Sequence, residues 1–280
     1  MEWQFNTITQ GVLTNKFVIV IPCFNAEATI AQAVISVVNQ DFPDLGVIIR
    51  NDQSTDNTSK VIKNLFEINS QEESFYIQNR GRDIIFIENN KKYYGGGNTF
   101  DSAIQLVNNP YSVIGVVDGD DYLLVKNAVS IIYNAYQRNK DKWLIWSQHI
   151  SRSESDFFLN GLSHPLPDDE TIYSTREYWG VSHFRTCLKG LFNLIDPHDL
   201  YEPNLPGQYA RIGGDAAFLY PMIEMCGNAH SLFIDSLLYY YNDTLPSNDS
   251  TLNESELEFY RRFFQNKSRY KQLEPNFKFY

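Results

Sequence analysis

Residues 17–24, FVIVIPCF, form a nearly continuous apolar run rich in β-branched side chains. A run of this length without polar alternation is typical of a strand buried on both faces, as in parallel sheets. Residues 26–40, AEATIAQAVISVVNQ, follow directly, and Ile30 and Val34 recur there at the spacing of one helical face. The stretch therefore predicts a strand followed by a helix, which is the repeating unit of an α/β fold.

The same pattern of strand and helix repeats to about residue 150. Further strands are predicted at 45–52, 83–89, 112–121 and 142–150, and further helices at 54–68, 97–107 and 123–137. Short connections between alternating strands and helices favour right-handed units and a Rossmann-like, mostly parallel sheet flanked by helices. After residue 150 the alternation stops. The predicted elements there are a polar loop at 151–170, helices at 174–195 and 215–227, and a strand at 232–242.

Charge is distributed unevenly along the chain. The net charge of −11 over 280 residues argues against a nucleic-acid partner, since such a partner requires a basic face. Residues 259–280 nevertheless carry six basic residues and one acidic residue. This aromatic, basic segment predicts either a helix that packs its aromatic side on the body or a tail that docks on a membrane surface or a partner. We expect a single domain over residues 1–258, followed by this tail.

The cysteines and the apolar runs bear on the compartment. The three cysteines are widely spaced and form no CxxC pair, which suits a reducing compartment and predicts neither a disulfide framework nor a zinc site. The first residues lack a basic region followed by a long apolar stretch, and the apolar runs are too short to span a bilayer. We therefore expect a cytoplasmic protein, or one attached peripherally to a membrane.

Three carboxylates crowd together where the predicted fourth strand ends, in VVDGDDYL at 116–123. One explanation for Asp118, Asp120 and Asp121 is a tight turn, because Asp and Gly both suit turns. The other is a hard divalent cation, which prefers oxygen ligands and cancels the repulsion between the carboxylates. In a parallel sheet, ligands bind beyond the carboxyl ends of the strands, so the acidic turn is expected in a ligand cleft. This placement favours the cation.

Several motifs, taken in order, resemble glycosyltransferase family 2 with its GT-A fold. The string IPCFN resembles a strand that ends in P-x-[YF]-N, NDQSTD resembles D-D-x-S-x-D, and DGDD resembles a D-x-D-D metal motif. HFRTCLKGLFNLI, GGDAAFLYPMIEMCG and LYYYNDTLPSND resemble the acceptor side of one branch of that family. The resemblance covers about residues 17–250. It implies a donor half at 17–122 and an acceptor half at 123–258.

The resemblance also implies an activity and its requirements. The donor would be a nucleotide sugar, most often linked to UDP, and the acceptor would be a hydroxyl of a glycan, a lipid-linked molecule or a protein. The cofactor would be Mn²⁺ or Mg²⁺, and the anomeric carbon would be inverted. The implied donor-site residues are Pro22, Phe24, Asn25, Asp52, Asn98, Asp118, Gly119 and Asp120.

Individual roles follow from positions in these motifs. Phe24 would stack near the uracil, and Asp52 would accept a hydrogen bond from it. Asp120 is the first choice of metal ligand and Asp121 the second, while Asp118 would hold either the metal or the ribose hydroxyls. Asp215 matches the catalytic base that takes the proton of the acceptor hydroxyl.

Some of these residues also have a structural explanation. Asp215 opens a predicted helix, where Asp is a good N-cap, so its position alone favours a cap. His183 and Arg185 would contact the diphosphate or the acceptor from the C-terminal half. They would alternatively form a pair on a helix surface, with Arg185 in a structural salt bridge.

The chain departs from the family pattern at two places. Asn51 replaces the first of the usual paired Asp residues, and GGGN at 95–98 replaces the usual ARN. The second change removes a basic residue expected near the diphosphate. Lys91 or Lys92 would substitute for it, or the backbone amides of Gly95 to Gly97 would cradle the phosphate.

Two other functions compete with a glycosyltransferase. A nucleotidyltransferase also places an acidic metal site on a parallel sheet, but it usually needs a basic, Gly-rich phosphate loop that PCFNAEAT lacks. A non-catalytic module that binds a nucleotide or a glycan is the other. The presence of all three carboxylates in DGDD together with Asp215 argues against such a module.

Overall fold

The computed structural model describes residues 4–6, 13–68, 74–79, 82–151, 163–171, 176–178, 180–203, 205–242 and 254–280. Within these residues the chain forms a mixed sheet with helices packed against it. The strands are β1 (Gln4–Asn6), β2 (Phe17–Cys23), β3 (Leu45–Asn51), β4 (Phe75–Asn79), β5 (Arg82–Glu88), β6 (Val113–Val116), β7 (Tyr122–Leu123), β8 (Leu144–Ser151), β9 (Arg185–Leu188) and β10 (Ser231–Tyr241). The helices are α1 (Ile30–Val38), α2 (Thr58–Leu65), α3 (Tyr94–Leu106), α4 (Ala128–Arg138), α5 (Lys189–Phe192), α6 (Gly214–Cys226) and α7 (Glu254–Gln265), with a 3₁₀ turn at Pro197–Leu200.

The sheet has a parallel centre with antiparallel strands added at its sides. The strand order in the described residues is β1-β4-β5-β3-β2-β6-β9-β8-β10-β7. Strands β5, β3, β2 and β6 run parallel, with Ile19 of β2 opposite Val47 of β3 and Gly115 of β6. Strand β9 runs antiparallel between β6 and β8, and β8 then pairs with β10 in parallel. The carboxyl ends of β2, β3 and β6 therefore meet at one edge, where a ligand cleft is expected.

The central strands are apolar along their whole length because both faces are covered. All seven residues of β2 and all seven of β3 are buried. Helix α1 contributes Ile30, Ala33 and Val34 to the core, and Phe17 at the start of β2 stacks on Phe184 from the C-terminal half. One continuous core therefore joins the two halves of the chain.

Two parts of the sequence interpretation differ from the structure. The pattern gave no strand at Phe75–Asn79, where β4 pairs antiparallel with β5. The helix predicted over 174–195 is wrong, because Arg185–Leu188 form strand β9 and only Lys189–Phe192 are helical; residues 172–175 and 179 lie outside the described part. Strand β9 is buried throughout, so it lacks the polar alternation that would distinguish a strand from a helix. Residues 152–162, most of the predicted long loop, also lie outside the described part.

The segment 259–280 packs on the body through its aromatic side chains. It begins in α7, and Tyr260, Phe264 and Phe279 are buried. Four of its basic residues pair with acidic residues: Arg261 and Arg262 with Glu258, Lys267 with Asp199, and Arg269 with Glu224. Much of its positive charge is thus balanced within the fold. None of the helices in the described residues is both long enough and apolar enough to cross a bilayer.

Candidate active site

A cavity of about 550 Å³ opens at the carboxyl ends of β2, β3 and β6. It brings together residues predicted from the sequence, namely Pro22, Phe24, Asn25, Asp52, Asn98, Asp118, Gly119, Asp120, His183, Arg185 and Asp215. Asp121 is the exception, because it lies buried behind the acidic turn with 1% exposure. Residues up to 193 positions apart in the chain, from Pro22 to Asp215, thus face one space.

The two loops that follow β2 and β3 are joined to each other by hydrogen bonds. Asn25 donates its backbone N–H to Ser54 Oγ at 2.9 Å and accepts the N–H of Thr55 on Oδ1 at 2.8 Å. Glu27 and Asp56 continue the pairing, since Glu27 N donates to Asp56 Oδ2 at 3.0 Å. Asn25 has φ 48°, a left-handed conformation that Asn tolerates better than most residues. The polar string STDNT therefore serves to fix the loop that carries Phe24.

Asp52 is buried at the end of β3 and is held by three donors. Its carboxylate accepts the backbone N–H groups of Tyr93 and Tyr94, each at 2.9 Å, and the side-chain N–H of Asn89 at 2.7 Å. Lys92 places its ammonium 3.2 Å from the ring centroid of Phe24 and donates to the carbonyl of Asp52. The ring of Phe24 and the carboxylate of Asp52, which were predicted to bind the uracil, therefore lie side by side, and Lys92 covers both.

This geometry places Lys91 and Lys92, the two candidates for contacting the diphosphate, near the predicted uracil site. Lys92 lines the cavity beside Phe24 and Asp52, whereas the ammonium of Lys91 lies over the ring of Tyr93 at 5.0 Å. Burial lowers the pKa of Lys92, although Asp52 opposes the shift. Gly95 and Gly96, the other candidates for the phosphate, line the same cavity from the first turn of α3.

The string GGG at 95–97 is explained by close packing against the C-terminal half. A Cβ on Gly96 would lie 2.3 Å from the carbonyl carbon and oxygen of Gly214, and a Cβ on Gly97 would lie 2.4 Å from the ring of Tyr209. Gly95, in contrast, has open space around its Cβ position. The N-terminal turns of α3 and α6 therefore touch backbone to backbone, and this contact brings Asp215 of α6 to the cavity.

The second departure, Asn51, is explained by a neighbouring acid. Asn51 is fully buried and donates its side-chain N–H to Glu88 Oε1 at 2.8 Å and to Ser59 Oγ at 2.9 Å. An Asp at this position would bring a second carboxylate against Glu88 and would lack the donor. The acidic group beside Asn51 is thus Glu88 at the end of β5, which is not among the residues that line the cavity.

The acidic turn after β6 is fixed to three surrounding elements. The carbonyl of Gly119 accepts the hydroxyl of Thr29 at 3.0 Å, and its N–H donates to the carbonyl of Pro22 at 3.0 Å. Asp121 accepts the hydroxyl of Tyr239 at 2.7 Å and the backbone N–H of Asn242 at 2.8 Å. The turn is therefore a rigid structure rather than a flexible solvated loop.

All three carboxyl groups of the turn have a raised pKa. Burial is the main cause in each case, and nearby carboxylates add to it: Asp215 acts on Asp118, Asp118 acts on Asp120, and both Asp118 and Asp120 act on Asp121. The pKa of Asp120 rises to about 7. Arg185 opposes the increase at Asp118. The fold therefore holds these groups where ionisation is costly unless a cation lies beside them.

His183 supplies a further group with the properties of a metal ligand. One ligand atom each of Asp118, Asp121 and His183 lie within 4.8 Å of one another. Burial and the charge of Arg185 hold the pKa of His183 well below its usual value, so the imidazole is neutral. Its Nδ1 is buried and finds no hydrogen-bond partner among the described residues. A neutral imidazole next to carboxylates fits a divalent cation.

Arg185 lies between the acidic turn and Asp215. Its guanidinium is 3.7 Å from Asp118 Oδ2 and 3.4 Å from Asp215 Oδ2. Burial disfavours its charge, but Asp215 and Asp118 together raise its pKa above the ordinary value. The alternative of a helix-surface pair for His183 and Arg185 is wrong, since both are buried and line the cavity.

Asp215 is in the first turn of α6 but is not its N-cap. The N-cap is Gly213, with φ 66°, and Asp215 Oδ1 accepts only the N–H of the next residue, Ala216, among the hydrogen bonds seen in the described residues. About a third of the Asp215 side chain is exposed toward the cavity. The carboxylate is therefore available to a molecule bound there.

The comparison with known sequences agrees with this arrangement. The family model described as Glycosyl transferase family 2 matches residues 18–204, which include the donor-side motifs and the acidic turn. The chain belongs to glycosyl transferase family 2.

This family 2 chain is similar to two curated proteins. It is 27% identical over 180 residues to the chondroitin synthase of Escherichia coli, covering 64% of this chain and 23% of that protein. It is 36% identical over 64 residues to the GalNAc(5)-diNAcBac-PP-undecaprenol beta-1,3-glucosyltransferase of Campylobacter jejuni subsp. jejuni serotype O:2, covering 23% of this chain and 21% of that protein. The chain spans less than a quarter of the length of these curated relatives.

Solved structures resemble the family 2 chain over most of its length. TarS 1–349 of S. aureus in complex with UDP-GlcNAc has a TM-score of 0.58 at 15% identity, covering 89% of this chain and 65% of that chain. The mannosyltransferase PcManGT of Pyrobaculum calidifontis in complex with GDP-Man and Mn²⁺ has a TM-score of 0.53 at 11% identity, covering 88% and 61%. These similarities confirm the predicted GT-A fold.

Sequence reasoning missed several residues that shape the site of this family 2 chain. His183 was predicted as a diphosphate or acceptor contact and not as a metal ligand. Thr29 and Tyr239, which hold the acidic turn, carry no signal in the sequence, since both belong to ordinary helical or strand patterns. Glu88 lies within the strand predicted at 83–89, near its carboxyl end, so its position at the end of β5 was a usable signal.

Proposed function

We propose that this family 2 chain is a metal-dependent, inverting glycosyltransferase that moves a sugar from a UDP-sugar to a hydroxyl of a glycan, a lipid-linked molecule or a protein. The observation that carries the proposal is the convergence in one cavity of a base-binding corner, an acidic turn beside a neutral imidazole, and a separate carboxylate at Asp215. Each of these suits one requirement of sugar transfer.

The donor is bound at the Phe24 side of the cavity. The ring of Phe24 is 44% exposed and offers a face for the uracil, and the Asp52 carboxylate is held rigidly by three donors next to it. Binding of the base displaces the Lys92 ammonium from that ring. Solved complexes of structural neighbours contain UDP-GlcNAc, GDP-Man or UDP, which supports a nucleotide-sugar donor here.

The acidic turn and His183 would hold Mn²⁺ or Mg²⁺. Asp118, Asp120 and His183 are the side chains that face the cavity. When bound, the ion supplies positive charge that stabilises the leaving diphosphate. Arg185 adds a permanent cation within the same wall, so it holds the diphosphate after the bond to the sugar breaks.

Asp215 acts as the general base. Its carboxylate takes the proton of the acceptor hydroxyl, and the oxygen then attacks the anomeric carbon from the face opposite the diphosphate, so the configuration inverts. A single carboxylate is sufficient for this direct displacement. Arg185 holds Asp215 Oδ2 on the acidic-turn side, which orients the base toward the donor.

The test compares Asp215→Asn with Asp235→Asn. Asp235 is exposed on β10 outside the cavity, so its variant matches the charge change without touching the site. Asp215→Asn is expected to lose UDP-sugar transfer and hydrolysis by at least about 100-fold, while UDP with Mn²⁺ still raises its Tm. Normal turnover in Asp215→Asn refutes the base assignment.

The same assay separates this function from a binding module. A non-catalytic protein would show a UDP-dependent rise in Tm with no turnover of any donor in a panel of UDP-, GDP- and TDP-sugars. Dependence of the UDP-induced rise on Mn²⁺, and its loss in Asp120→Ala, test the metal centre. If UDP binding is independent of Mn²⁺ in both the wild type and Asp120→Ala, Asp120 is rejected as a metal ligand.

A further inference from the structure

Asp121 differs from the other two carboxylates of the acidic turn. Asp118 and Asp120 line the cavity, whereas Asp121 is 1% exposed and lies behind it. Both of its oxygens already have donors, with Tyr239 Oη 2.7 Å from Oδ2 and the backbone N of Asn242 2.8 Å from Oδ1. Asp121 is therefore held in place by two buried hydrogen bonds and does not line the cavity.

Tyr239 makes a second hydrogen bond to the same turn. Its hydroxyl accepts the backbone N–H of Asp118 at 3.2 Å while it donates to Asp121. One hydroxyl therefore ties together the first and last carboxylate residues of DGDD. The side chain is fully buried in β10, whose register places Tyr239 beside Leu123 of β7 and His149 of β8. Its position is thus fixed by the sheet.

The ring of Tyr239 also orients His183. The two rings are stacked, with centroids 4.7 Å apart and an interplanar angle of 16°. Tyr241, two residues later on the same strand, stacks on His183 at 4.7 Å and 18°. Tyr239 therefore contacts the imidazole through its face and the acidic turn through its hydroxyl.

We propose that Tyr239 is a positioning residue for the metal centre and that Asp121 anchors the turn instead of binding the ion. This inference rests on the metal dependence in the proposed function. The carboxylate ligands are then Asp118 and Asp120, which line the cavity, in place of Asp121, whose oxygen lies within 4.8 Å of ligand atoms of Asp118 and His183. Partners behind a ligand commonly set its orientation, and their loss typically weakens metal affinity about 10- to 100-fold.

The test measures Mn²⁺ binding to the full chain without nucleotide, by the electron paramagnetic resonance signal of free Mn²⁺. Tyr239→Phe keeps the ring on His183 and removes the hydroxyl. We expect its Kd for Mn²⁺ to rise about 10- to 100-fold. Tyr240→Phe is the matched control, because Tyr240 is the next residue of β10, points to the other face and stacks on Tyr122. Its Kd is expected to match the wild type.

Asp121→Asn and the double variant Asp121→Asn/Tyr239→Phe separate an anchor from a ligand. If Asp121 acts through the Tyr239 hydrogen bond, each single change weakens Mn²⁺ binding to a similar extent and the double variant is no weaker than the worse single variant. If Asp121 is a ligand, its variant loses far more than Tyr239→Phe, and the effects add. Cooperative unfolding of each variant in EDTA shows that the fold is retained.

Three outcomes overturn the inference. A Kd for Tyr239→Phe within about twofold of the wild type removes the positioning role. Loss of a hydrogen bond that orients a metal ligand is expected to raise the Kd by more than that. If the losses of Mn²⁺ affinity in the two single variants add in the double variant, Asp121 is a metal ligand. A wild-type chain that binds UDP but no Mn²⁺ refutes the metal dependence of the proposed function. This result is distinguishable from failure of the inference about Tyr239, because it is obtained before any variant is made. If Tyr239→Phe does not unfold cooperatively, the Asp121→Asn variant decides, since a loss as complete as that of Asp120→Ala marks a ligand.

Discussion

Two adjacent glycines in α3 are expected to respond in opposite directions to the same substitution. A Cβ added at Gly96 meets the carbonyl carbon and oxygen of Gly214 at 2.3 Å, whereas a Cβ added at Gly95 has no heavy atom within 4 Å. Both glycines lie in the helix and neither has a positive φ, so alanine is compatible with the backbone at each position. The two variants therefore differ in packing alone.

The size of the effect follows from that distance. Ordinary contacts between carbon atoms are about 3.5–4.0 Å, so α3 and α6 must separate by at least about 1 Å in Gly96→Ala. Overpacking of this kind costs about 1–3 kcal/mol, and the obstructing atoms here are backbone that has no alternative rotamer. Gly95→Ala is expected to gain about 0.5–1 kcal/mol from helix propensity. The pair should thus differ by about 1.5–4 kcal/mol.

The change at Gly96 also reaches the proposed base. Asp215 follows Gly214 directly, and a displacement of about 1 Å at a reacting group can cost about 100-fold in rate. Urea denaturation gives the stabilities, and turnover of a UDP-sugar gives the rates. A Gly96→Ala protein as stable and as active as Gly95→Ala would show that the two helices do not meet through these backbones.

Three further predictions concern buried charge. Burial and the charge of Asp118 raise the folded pKa of Asp120 to about 7. The metal-free protein should therefore lose stability as pH rises from about 4 through 7, by at most about 4 kcal/mol. Measurement of Tm with and without Mn²⁺ at pH 6 and pH 8 checks this, and a Mn²⁺ effect that is no larger at pH 8 contradicts it. Asn51→Asp should cost about 1–3 kcal/mol by removing the donor to Glu88, and adding Glu88→Gln should recover most of it in urea denaturation; no recovery means that the two side chains are not coupled. Arg176→Met should cost about 3–5 kcal/mol, because Glu224, bonded at 2.7 and 2.8 Å, is left buried with Arg269 and the backbone N–H of Tyr270 as its remaining partners in the described residues; an unchanged urea midpoint would count against that pair.

The sequence predicted the fold well where strands are covered on both faces. Such strands appear as continuous apolar runs, and the runs at residues 17–24 and 45–52 correspond to β2 and β3. Strand β9 was missed for a different reason. Its four buried residues, Arg-Thr-Cys-Leu, form neither a continuous apolar run nor a polar–apolar alternation, so the segment carries no strand pattern. Only its pairing with β6 and β8, which is set by tertiary structure, identifies it as a strand.

The donor side of the candidate site was predictable because it lies at strand ends. Asp52 and the acidic turn follow β3 and β6 directly, so the topology of a parallel sheet is enough to bring them together. The contacts from the C-terminal half were not predictable in this way. The stacking of Tyr239 on His183, and the contact of Gly96 with Gly214, join residues whose proximity no local pattern encodes.

The two departures from the family pattern support an intact site, because each is matched by a second residue. Asn51 lacks a carboxylate, and Glu88 supplies one at 2.8 Å on the adjacent strand. The glycines at 96 and 97 lack side chains, and Gly214 and Tyr209 fill the space that side chains would take. Each departure is therefore accommodated by a specific contact, and the cavity keeps the carboxylates of Asp52, Asp118, Asp120 and Asp215 that the proposed transfer uses.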